Sequence, residues 1–216
     1  VVGVDNQPQP RYPFEFHQAD FFEYVAEHGG EFEAIHASPP CQGYSIMHNL
    51  PWNRDREYLY LIKPVREALI AIGVPWVIEN VGGACYGSAT LSARGLEDHG
   101  MQAGWLCGTM FGLPFYRHRY FESSFFWLQP GHPKHTLNLH PRSERWVYGG
   151  AVKGLPGGAA GLDVKPRKDP FYDENDGMAA GIGPTQGWRG AAEAMGIDWC
   201  NRAELTQAVP PIYARF

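Results

Sequence analysis

The chain has 216 residues, 44% of them apolar and 19% charged, with 26 glycines and 18 prolines. That suffices for one globular domain with a buried core and long loops, and it excludes a peptide, a fibre or a wholly disordered chain. Residues 1–110 hold 6 Lys and Arg against 13 Asp and Glu, whereas residues 111–216 hold 12 against 10, an asymmetry suited to meeting a polyanion with one face.

No apolar run approaches the roughly 18 residues that cross a bilayer, and no basic-then-apolar leader opens the chain. A soluble, unsecreted, cytoplasmic protein with no membrane partner is expected. The four cysteines, Cys41, Cys85, Cys107 and Cys200, lie far apart with no Cys-x-x-Cys pair, so neither a disulfide framework nor a zinc knuckle is expected.

The opening Val1-Val2-Gly3-Val4-Asp5 is a β-branched run that closes on an acid. Ala34-Ile35-His36-Ala37 and Trp76-Val77-Ile78-Glu79 repeat the design, as buried strands do. A short helix is predicted from Phe21 to Glu27, after Asp20. Leu59, Ile62, Val65, Leu69 and Ile72 give a longer helix one apolar face, and Gly73 with Pro75 stops it. Tyr116 to Glu122 alternates like a strand, which would set Arg117 and Arg119 on one face and His118 on the other. Residues 149–187 contain ten glycines and the cluster Lys165, Arg167 and Lys168. A loop-rich insertion is therefore placed at 127–180, with helices again from Gly187 to Met195 and from Ala203 to Ala208. The organisation read from this is 1–126, an insertion at 127–180, and a return at 181–216.

Strands alternating with helices predict an α/β fold, a doubly wound and mostly parallel sheet. Ligands gather beyond the carboxyl ends of such strands, where Asp5, Ser38 to Gln42 and Glu79-Asn80 all fall. In Ser38-Pro39-Pro40-Cys41-Gln42 two prolines stiffen the turn that carries Cys41. A lone cysteine is usually a small core hydrophobe, but this position suits a nucleophile, whose thiolate needs a positive neighbour such as Arg117 or Arg119. Burial beyond Trp76 to Ile78 should raise the pKa of Glu79 so that it can donate a proton; a capping or Arg-paired role is the plainer alternative. His132, His135 and His140 lack matching thiol or carboxylate spacing, and no metal is expected.

With these residues in view, Ser-Pro-Pro-Cys-Gln-Gly-Tyr-Ser around Cys41, then Glu79-Asn80-Val81, then Arg117-x-Arg119, then Ala208-Val209-Pro210 resemble, in order, the motifs of the DNA cytosine-5 methyltransferases. Short phage-encoded members are the most similar, and the resemblance spans most of the chain. It implies a class I S-adenosylmethionine-dependent methyltransferase fold with a reduced target-recognition region at 127–180. It further implies that Cys41 adds to C6 of a flipped-out cytosine. Glu79 would bind N3 and the exocyclic amine, Asn80 would position that loop, Arg119 would hold O2 and Arg117 would brace the site. S-adenosylmethionine would meet Asp5, Asn6, Asp20, Phe21, Pro39, Gln207 and Ala208. Double-stranded DNA would meet Pro40, Gln42, Ser45, Lys165, Arg167 and Lys168.

The chain departs from that pattern in several places. The family's opening strand and Gly-rich turn are absent, and that strand would lie between those of Val1 to Val4 and Ala34 to Ala37. A preceding segment or a second chain completing the sheet is therefore expected. Phe115 stands where Gln is usual, Thr206-Gln207 where Gly-Asn is usual, and the loop from Ser45 to Arg54 has no glycine. Two other readings keep part of the pattern: a tRNA cytosine-5 methyltransferase, whose base is already exposed, and a non-catalytic DNA-binding relic.

Overall fold

The computed structural model describes residues 1–45, 56–113, 117–133 and 187–216. The chain divides into two compact units, one of residues 1–106 with 118–129 and one of 107–117 with 130–216.

The first unit is mixed α/β. Its strands are β1 (Val2–Asp5), β2 (Glu15–Gln18), β3 (Ile35–Ala37), β4 (Trp76–Asn80), β5 (Gly104–Leu106) and β6 (Arg119–Ser123). β1 and β2 form a parallel pair, and the other four form a sheet in the order β3-β4-β6-β5. Only β3 and β4 run parallel in that sheet; β6 is antiparallel to both β4 and β5. The mostly parallel sheet read from the sequence is thus two small sheets, one of them mixed. The difference arises after β5, which runs in the same direction as β4: the chain then reverses, and β6 enters between the two, antiparallel to both. Among the described residues β1 meets only β2 and β3 meets only β4.

Two helices of this unit have clear local causes. α1 (Phe21–His28) begins where the Asp20 carboxylate accepts from the N–H groups of Phe22 and Glu23, at 2.8 and 3.2 Å. α2 (Ile62–Ile72) buries Ile62, Val65 and Leu69 along one face and ends at Gly73, whose φ of 81° is left-handed and suits only glycine well. Its cap position is Leu61, which has no polar side chain. The first N–H, that of Ile62, instead donates to the buried Tyr44 hydroxyl at 3.2 Å, a cap supplied from 18 residues upstream.

Ala37, Trp76 and Ile78 share one buried cluster with Tyr44, Ile62, Val65 and Leu69, so α2 covers the face of the sheet that these strand residues present. Each fully buried aliphatic side chain there contributes about 1.5–3 kcal/mol. Arg66 fastens the same helix to β6: Nε and Nη2 donate to the two Glu122 oxygens at 2.7 Å each, and Nη2 also reaches the Gly100 carbonyl at 2.8 Å. α3 (Ala89–Ser92) is a single turn.

The second unit holds α4 (Gly187–Met195), α5 (Arg202–Gln207) and α6 (Pro211–Arg215). α4 and α5 lie where helices were predicted. Ala191, Ala192, Met195, Ile197, Cys200 and Leu205 form its core. Asn201 and Glu204 cap α5 reciprocally, each side chain accepting from the other's backbone N–H at 3.0 and 2.8 Å. Among the described residues no helix is long and apolar enough to cross a membrane.

Candidate active site

Segments far apart in sequence meet at the carboxyl ends of β3 and β4. Asn80, the last residue of β4, is 1% exposed. Its Nδ2 donates to the Pro39 carbonyl at 2.9 Å and its Oδ1 accepts from the Val81 N–H at 3.0 Å. Both ends of the amide are engaged, which fixes its orientation. The turn after β3 is therefore anchored at Pro39, just ahead of Cys41.

Downstream the turn closes on itself, because the Cys41 carbonyl accepts from the N–H groups of Tyr44 and Ser45 at 3.0 and 2.9 Å. Cys41 is half-buried, whereas Cys107 and Cys200 are buried. Pro40 and Gln42 are exposed, Pro39 is buried and Ser45 is half-buried. Cys41 is thus not enclosed in the hydrocarbon core, as a structural cysteine would be.

Glu79 precedes Asn80 on β4 and, by strand alternation, faces away from the α2 side that Ile78 occupies. Opposite it in register is Phe121, so Arg119 lies diagonally across, within reach of a long side chain. Arg119 Nε and Glu79 Oε1 are 2.8 Å apart, and the two side chains are only 13% and 9% exposed. Arg119 Nη1 also donates to the His118 carbonyl at 3.0 Å, so the guanidinium is held at two points. The plainer expectation for Glu79, an Arg-paired carboxylate, describes its contact. A carboxylate acceptor beside a planar array of donors can bind the polar edge of a heterocycle.

Arg117 departs from the sequence reading. The strand starts at Arg119, so the two arginines do not share a strand face. Arg117 is 2% exposed and belongs to the second unit, where its carbonyl accepts from the Tyr213 hydroxyl at 2.6 Å. That side-chain donor takes the place of a strand ladder partner. Alternation alone could not foresee it.

At the end of β1, Asp5 turns the chain: Oδ1 accepts from the Gln7 N–H at 2.8 Å and Oδ2 from Gln9 Nε2 at 3.2 Å. Asn6 is exposed, and its carbonyl accepts from Gln18. Asp20 uses Oδ1 as the α1 cap, and Phe21 is half-buried, edge-on to Phe22. Gln207 is exposed at the end of α5, and the N–H of Ala208 donates to the Glu204 carbonyl. Lys165, Arg167 and Lys168 lie outside the described residues, as do Phe115, His135, His140 and residues 46–54.

Two residues that sequence reading passed over touch the Cys41 turn. Tyr44 is fully buried. Burial pushes its phenol up to about 12, against the opposing effect of the Ile62 N–H. Arg94 donates to the Gly43 carbonyl from 51 residues away. Tyr44 stands inside the Ser-Pro-Pro-Cys-Gln-Gly-Tyr-Ser motif and was there to be noticed; nothing in the sequence marks Arg94.

No family model matches the chain, and no curated protein matches it. The functional reading stands on these residues and their geometry.

Proposed function

We propose that the chain is a DNA cytosine-5 methyltransferase that works through covalent addition of Cys41. The observation that carries this reading is the Asn80–Pro39 hydrogen bond beside the Glu79–Arg119 ion pair. The first ties the cysteine turn to the end of β4 and the second joins the acid of that strand to the arginine, the three groups that activation of cytosine needs. On this reading the two small sheets are parts of one doubly wound class I sheet, with the insertion at 127–180 meeting DNA phosphates.

Cytosine C5 is a weak nucleophile. A Cys41 thiolate adding at C6 forms a carbon–sulfur bond and moves an electron pair to C5, while negative charge spreads toward N3 and O2. On base binding Glu79 takes up a proton from solvent and donates it to N3, its other oxygen accepts from the exocyclic amine, and Arg119 meets O2. Both are placed before reaction, so little reorganisation accompanies charge development. After C5 is alkylated it loses its proton, and the electron pair returns to expel sulfur and regenerate the thiolate. The base must first leave the duplex stack, which costs a few kcal/mol.

The residues proposed for the donor fit it at the acids. Asp5 accepts one local bond at each oxygen and Asp20 spends Oδ1 on its helix, so each carboxylate retains acceptor capacity for hydroxyl or amine hydrogens. Phe21, Asn6 and Pro39 of the same unit complete the proposed contacts. When bound, S-adenosylmethionine supplies an electrophilic methyl group.

The test uses the full natural chain, labelled S-adenosylmethionine and duplex DNA, with Cys41→Ser alongside and unlabelled tRNA as competitor. The wild type labels cytosine C5 in DNA, Cys41→Ser does not, and tRNA competes poorly. Equal labelling by both proteins overturns the covalent mechanism, and transfer abolished by tRNA overturns the choice of substrate.

A further inference from the structure

Reading Cys41 as a nucleophile raises the question of what aims it. Asn80 fixes the upstream side of the turn at Pro39. The downstream side has its own fastening. Tyr44 and Ser45 donate their N–H groups to the Cys41 carbonyl, so a shift of Tyr44 is transmitted directly to the Cys41 backbone.

Tyr44 is in turn fixed from two directions, and the adjoining Gly43 from two more. Its hydroxyl accepts from the first N–H of α2, and its ring packs edge-on against Tyr60 with centroids 5.4 Å apart. Tyr60 and Tyr58 also press on the residue between Tyr44 and Gln42: a Cβ added at Gly43 would come 2.9 Å from the Tyr60 ring and 3.1 Å from Tyr58 Cβ. On the remaining side Arg94 donates to the Gly43 carbonyl. The Arg94 guanidinium and the Tyr44 hydroxyl thus hold consecutive residues of the turn.

We propose that Tyr44 and Arg94 are positioning residues for Cys41, a clamp joining the turn to the start of α2 and to the segment around residue 94. This rests on the reading of Cys41 as the nucleophile. Neither side chain is assigned a contact with substrate. Their effect is to restrict where sulfur can sit, and small misplacements of a reacting atom cost rate more than binding. Tyr44 brings to this turn something a phenylalanine of nearly equal volume would lack, an acceptor for the otherwise uncapped N–H of α2. Arg94 brings a planar donor to a carbonyl whose own residue has no side chain.

Two measurements on the full natural chain test the clamp, using wild type, Tyr44→Phe, Arg94→Lys and Arg94→Ala, with Lys63→Ala as a control in an exposed ion pair with Asp98. The first is the rate of Cys41 alkylation by iodoacetamide as a function of pH, mapped by peptide mass spectrometry, with half-buried Cys85 as internal reference. The second is methyl transfer from labelled S-adenosylmethionine to duplex DNA, resolved into kcat and KM. A clamp predicts that Tyr44→Phe and Arg94→Ala lower kcat by about tenfold or more, leave the KM for DNA within about twofold, and change the Cys41 alkylation rate by about threefold or more while Cys85 is unchanged. Arg94→Lys restores part of both, and Lys63→Ala matches wild type. Cys41 alkylation within twofold of wild type in Tyr44→Phe and Arg94→Ala overturns the proposal whatever the transfer assay gives. A parallel change at Cys85 overturns it too, since that reports general loosening. Absence of methyl transfer in the wild type overturns the proposed function instead, and the alkylation comparison still decides the clamp.

Discussion

Replacing either member of the Glu79–Arg119 pair tests the geometry most directly. The charges are 2.8 Å apart and their side chains 9% and 13% exposed. At an effective dielectric of about 20, charges at this spacing attract by roughly 6 kcal/mol. Most of that offsets the cost of taking both ions out of water, so the intact pair contributes little net stability. Losing one partner is different, because the survivor stays buried without its counter-charge, at about 3–5 kcal/mol. Glutamine at position 79 keeps an oxygen that can accept from Arg119, which places Glu79→Gln near the lower end, about 3 kcal/mol. Arg119→Gln should cost about the same, and the double variant about 4 kcal/mol, giving a coupling energy of about 2 kcal/mol. Urea unfolding followed by tryptophan fluorescence measures all four proteins. With a slope of about 2 kcal/mol/M, each single change lowers the midpoint by about 1.5 M. Because the pair is mostly shielded, its coupling should survive a rise from about 0.1 M to about 1 M salt. Strictly additive effects, or a coupling that vanishes in salt, would refute a shielded ion pair and with it the preorganised site.

Other predictions follow from the same contacts. Asn80→Ala leaves the Pro39 carbonyl and the Val81 N–H without their partner, so it should destabilise by about 2–4 kcal/mol and reduce methyl transfer by about 100-fold; a urea midpoint and rate equal to wild type would contradict the anchor. His28 should titrate above 6.5, chiefly because Glu31 accepts from its ring, with the charges of Glu27 and Glu31 adding and desolvation opposing. Its favourable contribution is therefore complete below pH 6.5 and fades as pH rises through the folded-state value. An NMR titration checks this, with Glu31→Gln bringing the value back down; titration of wild-type His28 at or below 6.5 would be the wrong result. Gly100→Ala puts a Cβ 2.7 Å from the Tyr86 Cα, where backbone must give way, whereas Gly30→Ala meets nothing within 4 Å. The first should cost about 1–3 kcal/mol in thermal or urea unfolding and the second close to nothing.

The parts of the fold legible in the sequence were those whose cause is local. Asp20 announces α1 because a cap bonds to N–H groups two and three residues on. The buried face of α2 shows in the spacing of Ile62, Val65 and Leu69. The start of that helix was misplaced at Leu59, which is 68% exposed and outside it, because the cap comes from Tyr44 and not from a neighbouring polar residue. β2 and β5 were missed for a related reason. Glu15-Phe16-His17-Gln18 has one apolar side chain in four and becomes a strand by pairing with β1. Gly104-Trp105-Leu106 is three residues long and owes its conformation to β6. Pattern reveals burial, but not a partner strand.

The candidate site divides the same way, and strand ends explain why. Past the last ladder bond a backbone group needs another partner, and a side chain can supply it. Pro39 and Pro40 have no N–H to offer, so the turn after β3 presents carbonyls that require donors from elsewhere. Asn80 satisfies the one at Pro39 and Arg94 the one at Gly43, from two segments that sequence spacing does not connect. The prolines made the rigid turn visible in the sequence; the donors that complete it depend on tertiary folding. Glu79 and Arg119 follow the same logic, since the residues are local but their meeting depends on the antiparallel register of β4 and β6. A shift of one residue in that register would turn the Arg119 side chain to the opposite face and leave the Glu79 carboxylate buried without its counter-charge. The pairing of those two strands is therefore the single structural feature on which the proposed chemistry depends most.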